Sequence, residues 1–163
     1  MARHSSTPPQ SHNPLWQYIC AQYQNEPIRQ HCLALQDLYG LDVNLLLTCG
    51  WIVSHLGQTD RWPQLIDAAG IWQSRITALR VIRHSLNKSV PSQKRLRARV
   101  LALELAGERH EIDSLWCILH TLQPSVMSTP SLCANDLFSP YFQNAGLDIP
   151  YDDPARHALR RCL

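Results

Sequence analysis

Apolar residues along this chain recur at helical intervals, broken by Pro, Gly and Asn. Leu15, Trp16, Ile19, Cys20 and Tyr23 fall on one stripe and predict a short first helix. The tripeptide NEP at 25–27 is a start signal, with Asn25 as N-cap and Pro27 in the first turn. A second helix then buries Ile28, Cys32, Leu35 and Leu38 and stops at Gly40, a natural left-handed terminator. Asp42 restarts the chain, its carboxylate placed to accept from the free N–H groups of a third helix running from Val43 to about Leu56. That helix is apolar on most sides, which predicts a central, buried position.

After GQTD, the residues Trp62, Leu65, Ile66, Ala69, Trp72, Ile76, Leu79 and Leu86 step by three and four, with a break expected near Gly70. The stretch NKSVPSQ, 87–93, reads as a loop. A fifth helix follows from about Lys94 to Leu119, carrying Leu101, Leu105, Ile112, Leu115 and Leu119 on one stripe. Beyond Thr121 the pattern dissolves around Pro124, Pro130, Pro140, Pro150 and Pro154. No strand and no internal repeat is evident. The expectation is an all-α, compact bundle of about five helices over residues 15–120. It has a disordered N-terminal arm (1–14) and a Pro-rich tail (121–163) ending in a short helix near 154–162.

A length of 163 residues suits one domain with a real core. The net charge of +2 is modest, but its distribution is not. Residues 1–70 hold three basic and five acidic side chains, residues 71–112 nine and three, and residues 113–163 three and five. From Ile71 to Leu103 there is no acidic residue. Six cysteines (Cys20, Cys32, Cys49, Cys117, Cys133 and Cys162) lack the placement of a disulfide framework, and no signal-like segment precedes them. A reduced, cytoplasmic protein is expected. The longest apolar run is about a dozen residues, short of the roughly 20 that a membrane span needs.

Two places carry candidate chemistry. On the third helix Asn44, Thr48, Trp51 and His55 share one face, the pattern of a small-ligand or cofactor pocket and equally of a buried helix with satisfied polar groups. In the basic third, Arg80, His84 and Lys88 form a stripe with Arg75 and Arg83 beside it. Lys94, Arg95, Arg97 and Arg99 then open the fifth helix, where cations oppose the macrodipole and suit a bound anion. The competing reading of these charges is a solvated face balanced by Glu104, Glu108, Glu111 or the acidic tail. Cys117 and His120 can face one ion, but a structural zinc site needs four ligands and no second pair has the spacing. No catalytic motif, phosphate loop or dinucleotide fingerprint is present, so neither a catalytic residue nor a cofactor is assigned.

Trp16, CLALQDLYGLDVNLLL at 32–47, Cys49, Trp51, Trp72, LRVIRHSL at 79–86, and Glu104 with Glu108 resemble a family of small, mainly gammaproteobacterial helical proteins with a domain of unknown function. The resemblance spans roughly residues 15–110 and is most specific in YGLDVNLLL. Thr48 and Gly50 stand where the family pattern suggests larger apolar side chains, and Leu101 where it suggests Lys. The resemblance implies a fold and carries no activity.

Together these readings describe a bacterial, non-enzymatic helical module. It is expected to bind an acidic protein partner through the surface of Arg75, Arg80, Arg83, Lys88, Lys94, Arg95, Arg97 and Arg99. A nucleic-acid backbone binder using the same surface is the first alternative, ranked lower because no aromatic residues interleave the charges. A ligand or cofactor carrier using the Asn44–His55 face is the second.

Overall fold

The computed structural model describes residues 13–121 and 137–163. Seven α-helices and no strand occupy the described residues. They are α1 (Pro14–Gln24), α2 (Glu26–Tyr39), α3 (Val43–His55), α4 (Trp62–Ser85), α5 (Pro91–His120), α6 (Ser139–Asn144) and α7 (Pro154–Cys162). The five main helices expected from periodicity are all present, α7 lies where the short terminal helix was expected, and α6 is an additional helix.

α3 is the centre of the fold. Every residue from Leu45 to Ile52 is buried, so the helix needs neighbours on all sides. α1, α2 and the base of α4 supply them. Asp42 starts α3 by accepting from the backbone N–H of Asn44 at 2.7 Å and of Leu45 at 3.1 Å. Gly40 ends α2 with φ of 68°, a conformation that a side chain would strain.

α1 begins earlier than periodicity suggests. Asn13 is buried, its side-chain oxygen caps Trp16 N–H at 3.0 Å, and its amide donates to Asp113 at 2.7 Å. Residues 13 and 14 therefore belong to the domain; the rest of the expected arm, residues 1–12, lies outside the described residues.

The chain after residue 136 joins the same core. Phe138 is fully buried, and Tyr141 stacks on Trp62 with ring centroids 5.8 Å apart. Tyr39 of α2 donates its hydroxyl proton to Asp153 at 2.7 Å, and Asp153 caps α7 through Arg156 N–H. The tail's part at 122–136 is outside the described residues.

α4 and α5 extend from this body as an antiparallel pair, here called the arm. α4 runs unbroken through Gly70, where a Cβ would meet nothing, so that glycine makes no break. α5 starts at Pro91, whose fixed φ suits a first helical position, and takes in residues read from sequence as loop. From residue 77 to 103 only Val100 is buried. Two apolar assignments change accordingly: Leu101 and Leu105 are 42% and 55% exposed, so the α5 stripe is buried only from Ile112 onward. Leu38 of α2 is likewise exposed, at 67%.

Candidate functional site

The interior of the arm is polar. Arg83 Nε lies 2.6 Å from Glu104, which is 3% exposed. Arg80 reaches Glu108 at 2.8 Å and Glu104 at 3.9 Å, and Arg97 donates to the carbonyl of Arg83. Three residues expected to face a partner, Arg80, Arg83 and Arg97, are thus half-buried and hold α4 to α5. The reason is local composition: with Glu104 buried between the helices, an unpaired carboxylate there would cost several kcal/mol, and the nearest cations supply its partners. Ile76 closes on Gly107, where a Cβ would come within 3.0 Å of the isoleucine side chain.

The remaining basic residues, Arg75, Lys88, Lys94, Arg95 and Arg99, are exposed. Lys94 is the fourth residue of α5 rather than its first, so the basic run begins beyond the first turn and does not crowd the free N–H groups. Val90 caps the helix without a side-chain hydrogen bond.

One flank of the arm has a regular pattern that charge alone does not reveal. On α4, Trp72, Arg75, Leu79, Ile82 and Leu86 step by three and four. On α5, Leu96, Arg99, Leu103, Ala106 and His110 do the same. Trp72 stacks on His110 (5.4 Å, 14° between planes), and its ring N–H donates to Ser114 at 3.2 Å, which puts both series on one flank. Ile82, Leu96 and Leu103 are 49%, 47% and 57% exposed there. The guanidinium of Arg75 sits over Trp72 at 4.8 Å. Fourteen helical steps make this seam about 21 Å long.

The α3 face does not converge on one cavity. Thr48 is fully buried and donates to Asn44 C=O at 2.7 Å. Trp51 is buried, stacked on His55 (4.7 Å) and edge-on to Trp116 (5.6 Å). His55 is exposed, its Nδ1 3.0 Å from Trp51 C=O. The expected grouping of Asn44, Thr48, Trp51 and His55 as one ligand pocket is therefore corrected: of the four, Asn44 lines the cavity at the foot of the arm, and Thr48, Trp51 and His55 do not. Gly50 explains part of this closure, since a Cβ there would stand 2.6 Å from the Tyr18 hydroxyl.

That cavity, about 320 Å³, lies at the foot of the arm between α1, α3, α4 and α5. Trp16, Ile19, Tyr23, Val43 and Ile112 give it apolar walls, and Asp42, Asn44, Gln73, Arg80 and Glu108 its polar groups. Glu111 of α5 is fully buried beside it and accepts from Gln73 at 3.1 Å. Burial first, and then the nearby Asp42 charge, push the Glu111 carboxyl well above the usual carboxylate range. Burial raises Asp42 too, against its hydrogen bonds to Glu111 and the α3 backbone. Asp42 Oδ2 and Glu111 Oε1 are both sealed from solvent, with the Gln73 and Asn44 side-chain amides beside the two carboxyls. Burial and mutual repulsion favour a single proton shared by the two carboxyls over two full charges.

Sequence reading placed Glu111 among surface counter-charges and did not pair it with Asp42. Its only signal was a position three residues after Glu108 and four before Leu115, on the inward side of α5. Among the described residues no three His, Cys, Asp or Glu side chains are grouped to hold a metal ion, and no helix is long and apolar enough to cross a membrane.

No curated protein and no solved structure matches the chain. One family model does, over residues 14–115, which covers α1 to α4 and most of α5 and so includes both the arm and the cavity. The chain belongs to the family described as protein of unknown function DUF2390.

Proposed function

We propose that this protein is a helical docking module and that the Trp72–Leu86/Leu96–His110 flank of the arm receives an acidic amphipathic helix of a protein partner. The observation that carries the reading is the combination on that seam of exposed Ile82, Leu96 and Leu103 with Arg75 and Arg99, in a stretch without one acidic residue. A two-helix seam with apolar residues every three and four positions is the surface against which a third helix packs. A second copy of the chain would bring Arg75 and Arg99 against their own kind, which disfavours self-association. Carboxylates on the incoming helix would meet them instead, and the apolar seam would supply most of the affinity.

Arg80, Arg83 and Arg97 take no part in this contact; they shape the arm. Arg75, Lys88, Lys94, Arg95 and Arg99 steer the encounter, so their removal slows association and flattens its salt dependence. A nucleic-acid backbone would use the charges without the seam.

The test compares Ile82→Asp/Leu103→Asp with Lys94→Glu/Arg95→Glu in co-purification from nuclease-treated extract, with the partner identified and its bound segment mapped. A partner segment that is acidic and amphipathic, lost with the seam variant and weakened with the charge variant, supports the reading. Retention by the seam variant, or loss of all binding on nuclease treatment, refutes it.

A further inference from the structure

We propose that the cavity at the foot of the arm binds an uncharged, flat heterocycle that carries an N–H beside a C=O along one edge, as lactams and nucleobases do, independent of any partner on the seam. Four of the side chains that line it are carboxamides: Gln24, Gln36, Asn44 and Gln73. A carboxamide holds a donor and an acceptor in one plane, so it pairs with a ring edge of the same kind.

Neighbours fix which way two of these amides face. Gln73 Nε2 donates to Glu111 at 3.1 Å, the same amide bonds Asp42, and the Asn44 amide bonds Glu111. Carboxylates accept, so both amides turn their N–H groups to the acid pair and keep their carbonyl oxygens as the acceptors they offer a ligand. Asp42 Oδ2 and Glu111 Oε1 are sealed, so the acid pair orients the amides and does not itself meet the ligand. Donors come from the other side of the lining. Arg80 spends one N–H on Glu108, and Gln24 and Gln36 make no side-chain hydrogen bond among the described residues. A ring N–H can therefore donate to the Asn44 or Gln73 carbonyl while the adjacent ring C=O accepts from Arg80 or Gln36.

Charge and shape narrow the ligand further. Arg80 and Glu108 line the cavity as an ion pair at 2.8 Å, which leaves neither an unpaired cation for a phosphate nor an unpaired anion for an amine. A charged ligand would lose its hydration there without gaining a counter-charge. Trp16 and Tyr23 supply aromatic walls against which a flat ring packs. Arg109, bonded to Asp113, lies over Trp16 at 4.3 Å and holds that ring in place. A volume of about 320 Å³ is at the small end of ligand sites and suits two fused rings.

The experiment titrates the full chain with isocarbostyril, a bicyclic lactam, and with isocoumarin, the isosteric lactone in which oxygen replaces the ring N–H. Calorimetry measures affinity, and NMR of the indole N–H groups locates the ligand, because Trp16 alone of the five tryptophans lines the cavity. The lactam is expected to bind at least tenfold more tightly than the more apolar lactone, whose ring oxygen would face the amide carbonyls unpaired. The largest indole shift should fall on Trp16. Gln73→Met removes one acceptor at similar length and should weaken the lactam at least fivefold, whereas Leu103→Asp on the seam should leave it within about twofold. Hypoxanthine tells the sources apart: tighter binding than isocarbostyril assigns the site to a nucleobase, weaker binding to an apolar lactam, and either supports it. Equal or tighter binding of the lactone, shifts centred on another tryptophan, full binding by Gln73→Met, or no binding of either lactam overturns it. Should Gln73→Met fold poorly, the lactam and lactone comparison and the Trp16 shift on the unmodified chain still decide.

Discussion

Replacing Glu111 with Gln removes one titrating group from the centre of the fold while keeping its shape and its bond to Gln73. In the native chain the Asp42–Glu111 pair holds a proton that the unfolded chain has already lost above the ordinary carboxylate pKa. Folding therefore takes up one proton in that range, and stability falls as pH rises. The contribution is complete below the unfolded value, near 4.3, and is lost as pH climbs toward the raised folded value. One proton corresponds to roughly 1.4 kcal/mol per pH unit, so about 2.7 kcal/mol separates pH 5.5 from pH 7.5. In Glu111→Gln the amide donates to Asp42 Oδ2 at every pH, and that slope disappears. Urea unfolding at four or five pH values measures both chains, and their difference isolates the pair from all other titrating groups. Parallel pH dependences in the two proteins would refute the shared proton, whatever their absolute stabilities.

Further expectations concern the arm, the tail and the start of α3. Arg83→Gln strips Glu104 of its 2.6 Å partner and should cost roughly 2 kcal/mol, read by urea unfolding. Lys94→Glu, Arg95→Glu and Arg99→Glu touch exposed side chains and should stay within about 0.5 kcal/mol by the same measurement. Phe138→Ala empties a fully buried site and should lower stability by about 3–5 kcal/mol, with the pre-137 helices destabilised together with α6 and α7 in hydrogen exchange. Asp42→Ala removes the α3 cap and should lower stability by about 1 kcal/mol or more, whereas Asp42→Asn keeps that cap; thermal unfolding at pH 7 compares the two.

Much of the helical body is legible in the sequence because its signals are local. Gly40, Asp42 and the unbroken apolar run after it specify where α2 ends, where α3 begins and why α3 is central. The arm is less legible because its interior breaks the usual rule. Glu104 is buried and Leu103 and Leu105 are not, so a reading that puts leucines inside and charges outside inverts that stretch of α5. Arg80 and Arg83 look like surface charge until α5 is laid beside α4 and Glu104 falls between them. The seam needed the same step, since Leu79 and Leu86 read as core until the helices are paired through Trp72 and His110. Asp42 and Glu111 lie far apart in sequence, and only the packing of α3 against α5 makes them one acid pair. Helices α6 and α7 are short and flanked by proline, and their periodicity gives no hint that Phe138 and Tyr141 complete the core.

Site-specific photo-crosslinking in living cells tests the docking seam most directly. A photoreactive residue at Leu103 lies on the seam, and one at Leu105, equally exposed, lies on the other side of α5. The expected result is one protein crosslinked from position 103, through an acidic amphipathic segment, and little or none from position 105. Equal crosslinking from both positions, or crosslinks from 103 to nucleic acid or to a second copy of the chain, would contradict it.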